Sequence, residues 1–303
     1  MTEAADRELH HLPPAAARLR AALARPKRVA ALCVVVLTML GWVTLALMLA
    51  DHEGPLSALG PGMGLLDWVP RMLAVLCRPD VGVAAGHHGG AGVGGIALVA
   101  LMWGAMTLAM MLPSAGPMIF TYAEIADTAA GKGERVASPF VLAAGYLVVW
   151  FGLVVVATLL QVDLARLMLL NASMVSASEL FSGAIFIAAG AYQFTALKQA
   201  CLAQCRRPFP FFVANWATTP RGVFRLGFKQ GLYCLGCCWA IMLVMFAVGV
   251  MNVIWMAALG IVMTFEKIGT GKRLTYTVGA TLIAVGLWFT ASSVVAHWPA
   301  RTM

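Results

Sequence analysis

Five of the seven cysteines fall between Cys201 and Cys238, a stretch of 38 residues in a chain of 303. The first group is Lys198-Gln-Ala-Cys201-Leu-Ala-Gln-Cys205-Arg206-Arg207-Pro208. On a helix, Cys201 and Cys205 are four residues apart and share a face, and Pro208 ends that helix. The flanking Lys and Arg favour the thiolate, which is the form that binds metals or attacks disulfides. The second group is Tyr233-Cys234-Leu-Gly-Cys237-Cys238-Trp239. There Cys234 faces both Cys237 and Cys238, three and four residues on. Four or five thiols near one point make a site for a soft metal. An isolated buried cysteine is usually an inert small hydrophobe, and packing is the plain alternative. The clustering argues for a shared role.

A second soft-donor pattern is Met102-Trp-Gly-Ala-Met106-Thr-Leu-Ala-Met110-Met111-Leu-Pro113-Ser-Ala-Gly-Pro117-Met118. Met102, Met106 and Met110 are spaced by four and form one stripe, with Met111 beside it. Thioethers suit Cu(I), and they also fill gaps in ordinary cores. Pro113 and Pro117 remove backbone donors, so we expect a break in this helix at about the depth of Cys234. Inside a membrane the freed carbonyls then need protein or water partners. Glu266 and Lys267 read as a helix end, with Glu266 able to reach the thiol region. Lys198, Gln193 and Tyr192 are candidates for supporting the ligands. His87 and His88, in a glycine-rich stretch, would be external metal ligands or simply solvated. Nucleophile elbow, P-loop, dinucleotide fingerprint and HExxH are all absent from the sequence.

These residues need a scaffold, and composition says what kind. The chain is 61% hydrophobic and only 11% charged, with mean hydropathy +0.85. A soluble domain carries roughly 25% charged residues, so lipid must serve as solvent. The net charge of +8 reflects Lys and Arg in short loops, which are topology determinants and contacts to anionic lipid. Nucleic acid is not the expected partner; the lipid bilayer is. An extracellular disulfide framework, with paired cysteines in outer loops, is not the pattern here.

A membrane helix needs about 20 apolar residues, and 29–50, 95–119, 140–160, 180–197 and 274–296 each qualify. Leu235–Phe265 runs 31 residues without a charge, too long for one straight helix. A tight turn at Gly249-Val250-Met251-Asn252 divides it and starts the preceding helix near Phe224. With that turn, the basic stretches 120–139, 198–229 and 266–273 all fall on the cytoplasmic side, as the positive-inside rule requires. The expectation is an all-α, polytopic transmembrane bundle of about seven helices, N-terminus in and C-terminus out, in the inner (cytoplasmic) membrane. A basic cytoplasmic segment 1–28 precedes a transmembrane domain 29–297. Within it, 51–94 is a flexible external Gly/Pro-rich loop and 198–229 a basic cytoplasmic one.

Four stretches, "MWGAMTLAMMLPSAGPM", "GYLVVW", "AGAYQFTALKQACLAQCRRP" and "GFKQGLYCLGCCWAIMLVMFAVGVMNVIWMAALGIVMTFEK", resemble a bacterial family of integral membrane proteins. Its members are predicted to bind metal and are sometimes labelled copper chaperones. They sample residues 102–267. The resemblance implies Cys201, Cys205, Cys234, Cys237 and Cys238 as functional positions, as the spacing does independently.

The leading reading is a membrane metal-handling protein that binds or passes a soft ion, Cu(I) first and zinc next, through the cysteines and Met106, Met110 and Met111. A metallochaperone or metalloenzyme would be its partner. The rivals are a membrane thiol–disulfide oxidoreductase or other membrane redox enzyme, and a structural or assembly subunit. Enzymatic activity is not the favoured reading.

Overall fold

The computed structural model describes residues 26–50, 55–66, 68, 93–134, 136–170, 176, 178–269 and 271–297. His87, His88, Cys77 and nearly all of the basic segment 1–28 lie outside these residues. The described regular structure is helical. Helix α1 is Pro26–Ala50, α2 Val93–Met106, α3 Leu112–Gly131, α4 Pro139–Arg166, α5 Glu179–Tyr192 and α6 Ala196–Arg206. After these come α7 (Pro208–Ala214), α8 (Pro220–Val248), α9 (Val253–Ile268) and α10 (Arg273–His297).

Local chemistry sets the boundaries. Ser138, Ser178, Thr195, Thr219 and Asn252 each accept a backbone N–H of the helix they precede, the usual role of such residues at an N-terminus. Pro139 and Pro220 occupy first helical positions, where a missing N–H costs nothing. The turn at Asn252 is present: Gly249, at φ 108°, ends α8. Asn252 is fully buried, accepts from Trp255 N at 3.2 Å and donates to Pro61 O at 3.0 Å.

That last bond changes the picture of the loop 51–94. Residues 55–66 form two single-turn helices, Leu56–Leu59 and Met63–Leu66. Leu56, Leu59 and Met63 pack as a small core with Leu49, Met251, Val253 and Ile254. This part is docked, not free.

The outer surface is apolar, and the largely apolar interior encloses a few polar and charged side chains. Leu32, Val36, Met39, Phe151, Val155, Val156, Leu287 and Trp288 are exposed, while Thr107, Gln161, Lys198, Gln230, Glu266 and Lys267 are buried. Among the described residues, five helices are long and apolar enough to cross a membrane, or six if the pair α5/α6, bent by 63°, counts as one broken span. The apolar stretch 180–197 therefore does not form one straight helix; it turns at Gln193–Thr195. At 16 residues, α9 is about 24 Å long at 1.5 Å per residue. Helices approach closely where glycines meet backbone: a Cβ on Gly227 would lie 2.0 Å from Leu142 O, and one on Gly190 2.8 Å from Gly279 O. Small residues at such contacts are characteristic of membrane helix packing.

The expected break at Pro113 is replaced by a widened turn. Thr107–Met111 is π-helical, joining α2 to α3 without a gap. A π-turn loosens the carbonyl ladder where Pro113 supplies no N–H, and such turns favour functional positions.

The two ends of the bundle differ. At one end, Arg206 donates to Gly271 O at 3.0 Å and Lys27 pairs with Glu124 at 3.3 Å. There too, Tyr122 donates to Ala137 O and packs on Phe212 and Trp216. The Asn252 turn and residues 55–66 form the other end.

Candidate metal centre

The centre is built on α8. Cys234, Cys237 and Cys238 occupy i, i+3 and i+4, and all three are at most 2% exposed. Their sulfurs lie within 4.8 Å of one another, Cys237 and Cys238 at 3.3 Å. Helix α6 brings a fourth thiol, with Cys205 Sγ 4.0 Å from Cys237 Sγ. The two cysteine groups therefore meet. Cys201 is half-buried and stands outside the three-thiol group; its sulfur lies where a Cβ on Gly236 would sit, 2.6 Å away. Gly236 leaves room for it. Cys33, on α1, is free and half-buried.

Two ligands on one ion, each about 2.3 Å from it, stand roughly 3.7 to 4.6 Å apart. The separations of 3.3 Å for Cys237–Cys238 and 4.0 Å for Cys205–Cys237 lie just below and inside that range, so the donor set fits a thiophilic ion after small side-chain rotations.

A closed ring of hydrogen bonds surrounds Cys234. Lys267 donates from Nζ to Cys234 Sγ at 3.0 Å and to Ser114 Oγ at 2.6 Å. Ser114 donates in turn to Met111 O at 2.8 Å. Tyr146 OH lies 3.2 Å from that same carbonyl and 3.0 Å from Cys234 Sγ. The π-turn thus sits at the depth of Cys234, and a carbonyl at its end is satisfied by protein groups. Lys267, Tyr146 and Ser114 escaped the sequence reading. Tyr146 lies in the "GYLVVW" stretch, and its neighbourhood alone gave no sign of a role. Lys267, beside Glu266 at a helix end, looked like a solvated charge.

Glu266 turns away from the thiols. Its Oε2 takes Lys198 Nζ at 2.7 Å, an ion pair 1% and 0% exposed at the side chains. Arg206 Nε donates to the Glu266 backbone carbonyl at 2.7 Å. Both ends of α6 are therefore fastened to one residue of α9, which fixes the helix that carries Cys201 and Cys205. Lys198, Cys201, Leu202 and Cys205 lie at i, i+3, i+4 and i+7, the inward stripe of that helix. Gln193 is buried at the α5–α6 bend; it donates to Ala189 O at 3.2 Å, and its carbonyl accepts from Gln199 at 3.1 Å. Tyr192 donates to the Gly236 carbonyl on α8 and packs edge-on against Trp239 at 5.0 Å.

Met102, Met106, Met110 and Met111 are all buried. Met110 packs beside Gly260 of α9. Met111 joins the ring through its backbone carbonyl.

Fold and site together describe an apolar helical bundle with a buried thiol centre at one end. The chain belongs to the PpoB2 copper chaperone family, whose model matches residues 100–289, more than half of its length and every cysteine of the cluster. No curated protein and no solved structure matches it.

Removing one partner of a buried ion pair strands the other charge, at a cost of roughly 3–5 kcal/mol, whereas replacing both by apolar groups is often neutral. Lys198→Met and Glu266→Leu singly should each lower stability by about that much, and the double variant by less than either. Denaturant unfolding in detergent, followed by circular dichroism, measures this. Additive losses would show that the pair does not fasten α6.

Proposed function

We propose that this chain is a multi-pass protein of the inner membrane that takes up Cu(I) on Cys234, Cys237, Cys238 and Cys205 and hands it on. The observation that carries the proposal is the three buried thiols within 4.8 Å of one another in a member of a copper chaperone family. Soft thiolates select soft ions, and their burial removes water as a competing ligand. Cys201, half-buried on the same face of α6, serves as a further thiol on the way in. Met106, Met110 and Met111 line the interior beyond the thiols and offer thioethers suited to a monovalent copper ion. A metallochaperone or a copper enzyme is the partner such a protein serves. Zinc is the alternative metal, since four thiolates also suit it.

In the bilayer we propose seven crossings, with α5/α6 as one broken span and α9 as a short one, the N-terminus in and the C-terminus out. Two lysines counted toward this orientation, Lys198 and Lys267, are in fact buried. The remaining exposed cations Lys132, Arg207, Arg221, Arg225, Lys229, Lys272 and Arg273 still favour a cytoplasmic thiol end. Reporter fusions at Arg221 and Met303 should report opposite sides of the membrane. The same side for both would mean that the number of crossings is wrong.

A second reading, thiol–disulfide exchange, draws on the 4.0 Å approach of Cys205 and Cys237. Metal analysis separates the two. Purified wild-type protein under reducing conditions should hold about one Cu(I) per chain. Cys234→Ser/Cys237→Ser should lose it with helix content unchanged, because serine keeps the volume but is a poor donor to soft ions. Met106→Leu and Met110→Leu should weaken copper binding if the thioethers take part. Substoichiometric copper in the wild type would overturn the copper reading in favour of exchange chemistry.

A further inference from the structure

Three charged side chains are buried among the described residues: Lys198, Glu266 and Lys267. The first two neutralise each other. Lys267 has no carboxylate partner there. Its ammonium is held by a neutral hydroxyl, Ser114, and by the sulfur of Cys234. An isolated ammonium in an apolar interior is costly, so the interior must supply a negative charge, and the group it touches belongs to the thiol cluster.

We infer that Lys267 is the resident counter-cation of the thiolate–metal complex and biases the site towards a monovalent soft ion. This rests on the reading that the cluster binds metal. Each cysteine that ligates gives its proton to solvent and brings one negative charge. A monovalent ion on two sulfur anions carries −1, and the ammonium brings the assembly to zero. A divalent ion reaches zero beside the same ammonium only with three sulfur anions. Without the ammonium, neutrality leaves one anionic sulfur for the monovalent ion and two for the divalent one. The monovalent complex then loses half of its anionic donors and the divalent complex a third. Loss of the charge should therefore hurt the monovalent ion more. Low effective dielectric in the interior makes this balance decisive, whereas a surface lysine would have little influence.

The test uses the full-length protein in detergent, with Ag(I) as a redox-inert monovalent probe and Cd(II) as a divalent one. Wild type, Lys267→Arg, Lys267→Met and Lys267→Gln are dialysed against both ions together, and bound metal is counted. Wild type and Lys267→Arg should share one Ag(I)-to-Cd(II) ratio, and the two uncharged variants should fall at least tenfold below it. Two uncharged variants are included because either could fail to fold. Ag(I)-to-Cd(II) ratios unchanged in a folded uncharged variant would overturn the inference while leaving the metal site standing. A wild type that takes Cd(II) as readily as Ag(I) would overturn it without any variant. A wild type that binds neither ion would remove the thiol site itself, and the charge assignment with it.

Discussion

Buried charge organises the thiol end of this protein. In a bundle whose outer surface is aliphatic, an internal ion has no water to fall back on, and each must be answered by the protein. Glu266 answers Lys198 and, through its carbonyl, Arg206, which fastens the short helix α6 against α9. Its neighbour Lys267 answers Cys234 and Ser114. Two consecutive residues of α9 thereby hold both helices of the thiol cluster, α6 by an ion pair and α8 by a hydrogen bond to sulfur.

The same logic accounts for the irregular backbone. The bend between α5 and α6 and the π-turn before Pro113 both occur where side chains satisfy the loosened groups. Gln193, Gln199 and Thr195 do so at the bend, and Ser114 and Tyr146 do so at the π-turn. Such departures from regular helix survive at membrane depth only when protein supplies the missing partners. At the π-turn, Tyr146 also touches Cys234 Sγ and Ser114 is joined to it through Lys267, so that repair and the candidate site are one network.

Much of this was legible in the chain. The spacing of Cys234, Cys237 and Cys238 placed them on one helix face, and that of Cys201 and Cys205 did the same for the first pair. The uncharged run Leu235–Phe265 demanded a turn, and the segment Gly249–Asn252 supplies it. The fate of the charges was not legible. Hydropathy treats every lysine at a helix end alike, and only the three-dimensional packing shows that Lys198 and Lys267 point inward. Pro113 announced a lost hydrogen bond but not whether the helix would break or widen. The Leu56, Leu59 and Met63 contacts were hidden because three apolar residues in a glycine-rich stretch show no period.

The proposed function requires that a soft monovalent ion be held by sulfur alone at the Cys234 cluster. X-ray absorption at the copper edge of the reduced, copper-loaded protein tests it most directly. The expected result is a first shell of sulfur scatterers only, at about 2.3 Å as for other metal–thiolate bonds, in a spectrum characteristic of Cu(I). A first shell dominated by nitrogen or oxygen would contradict it.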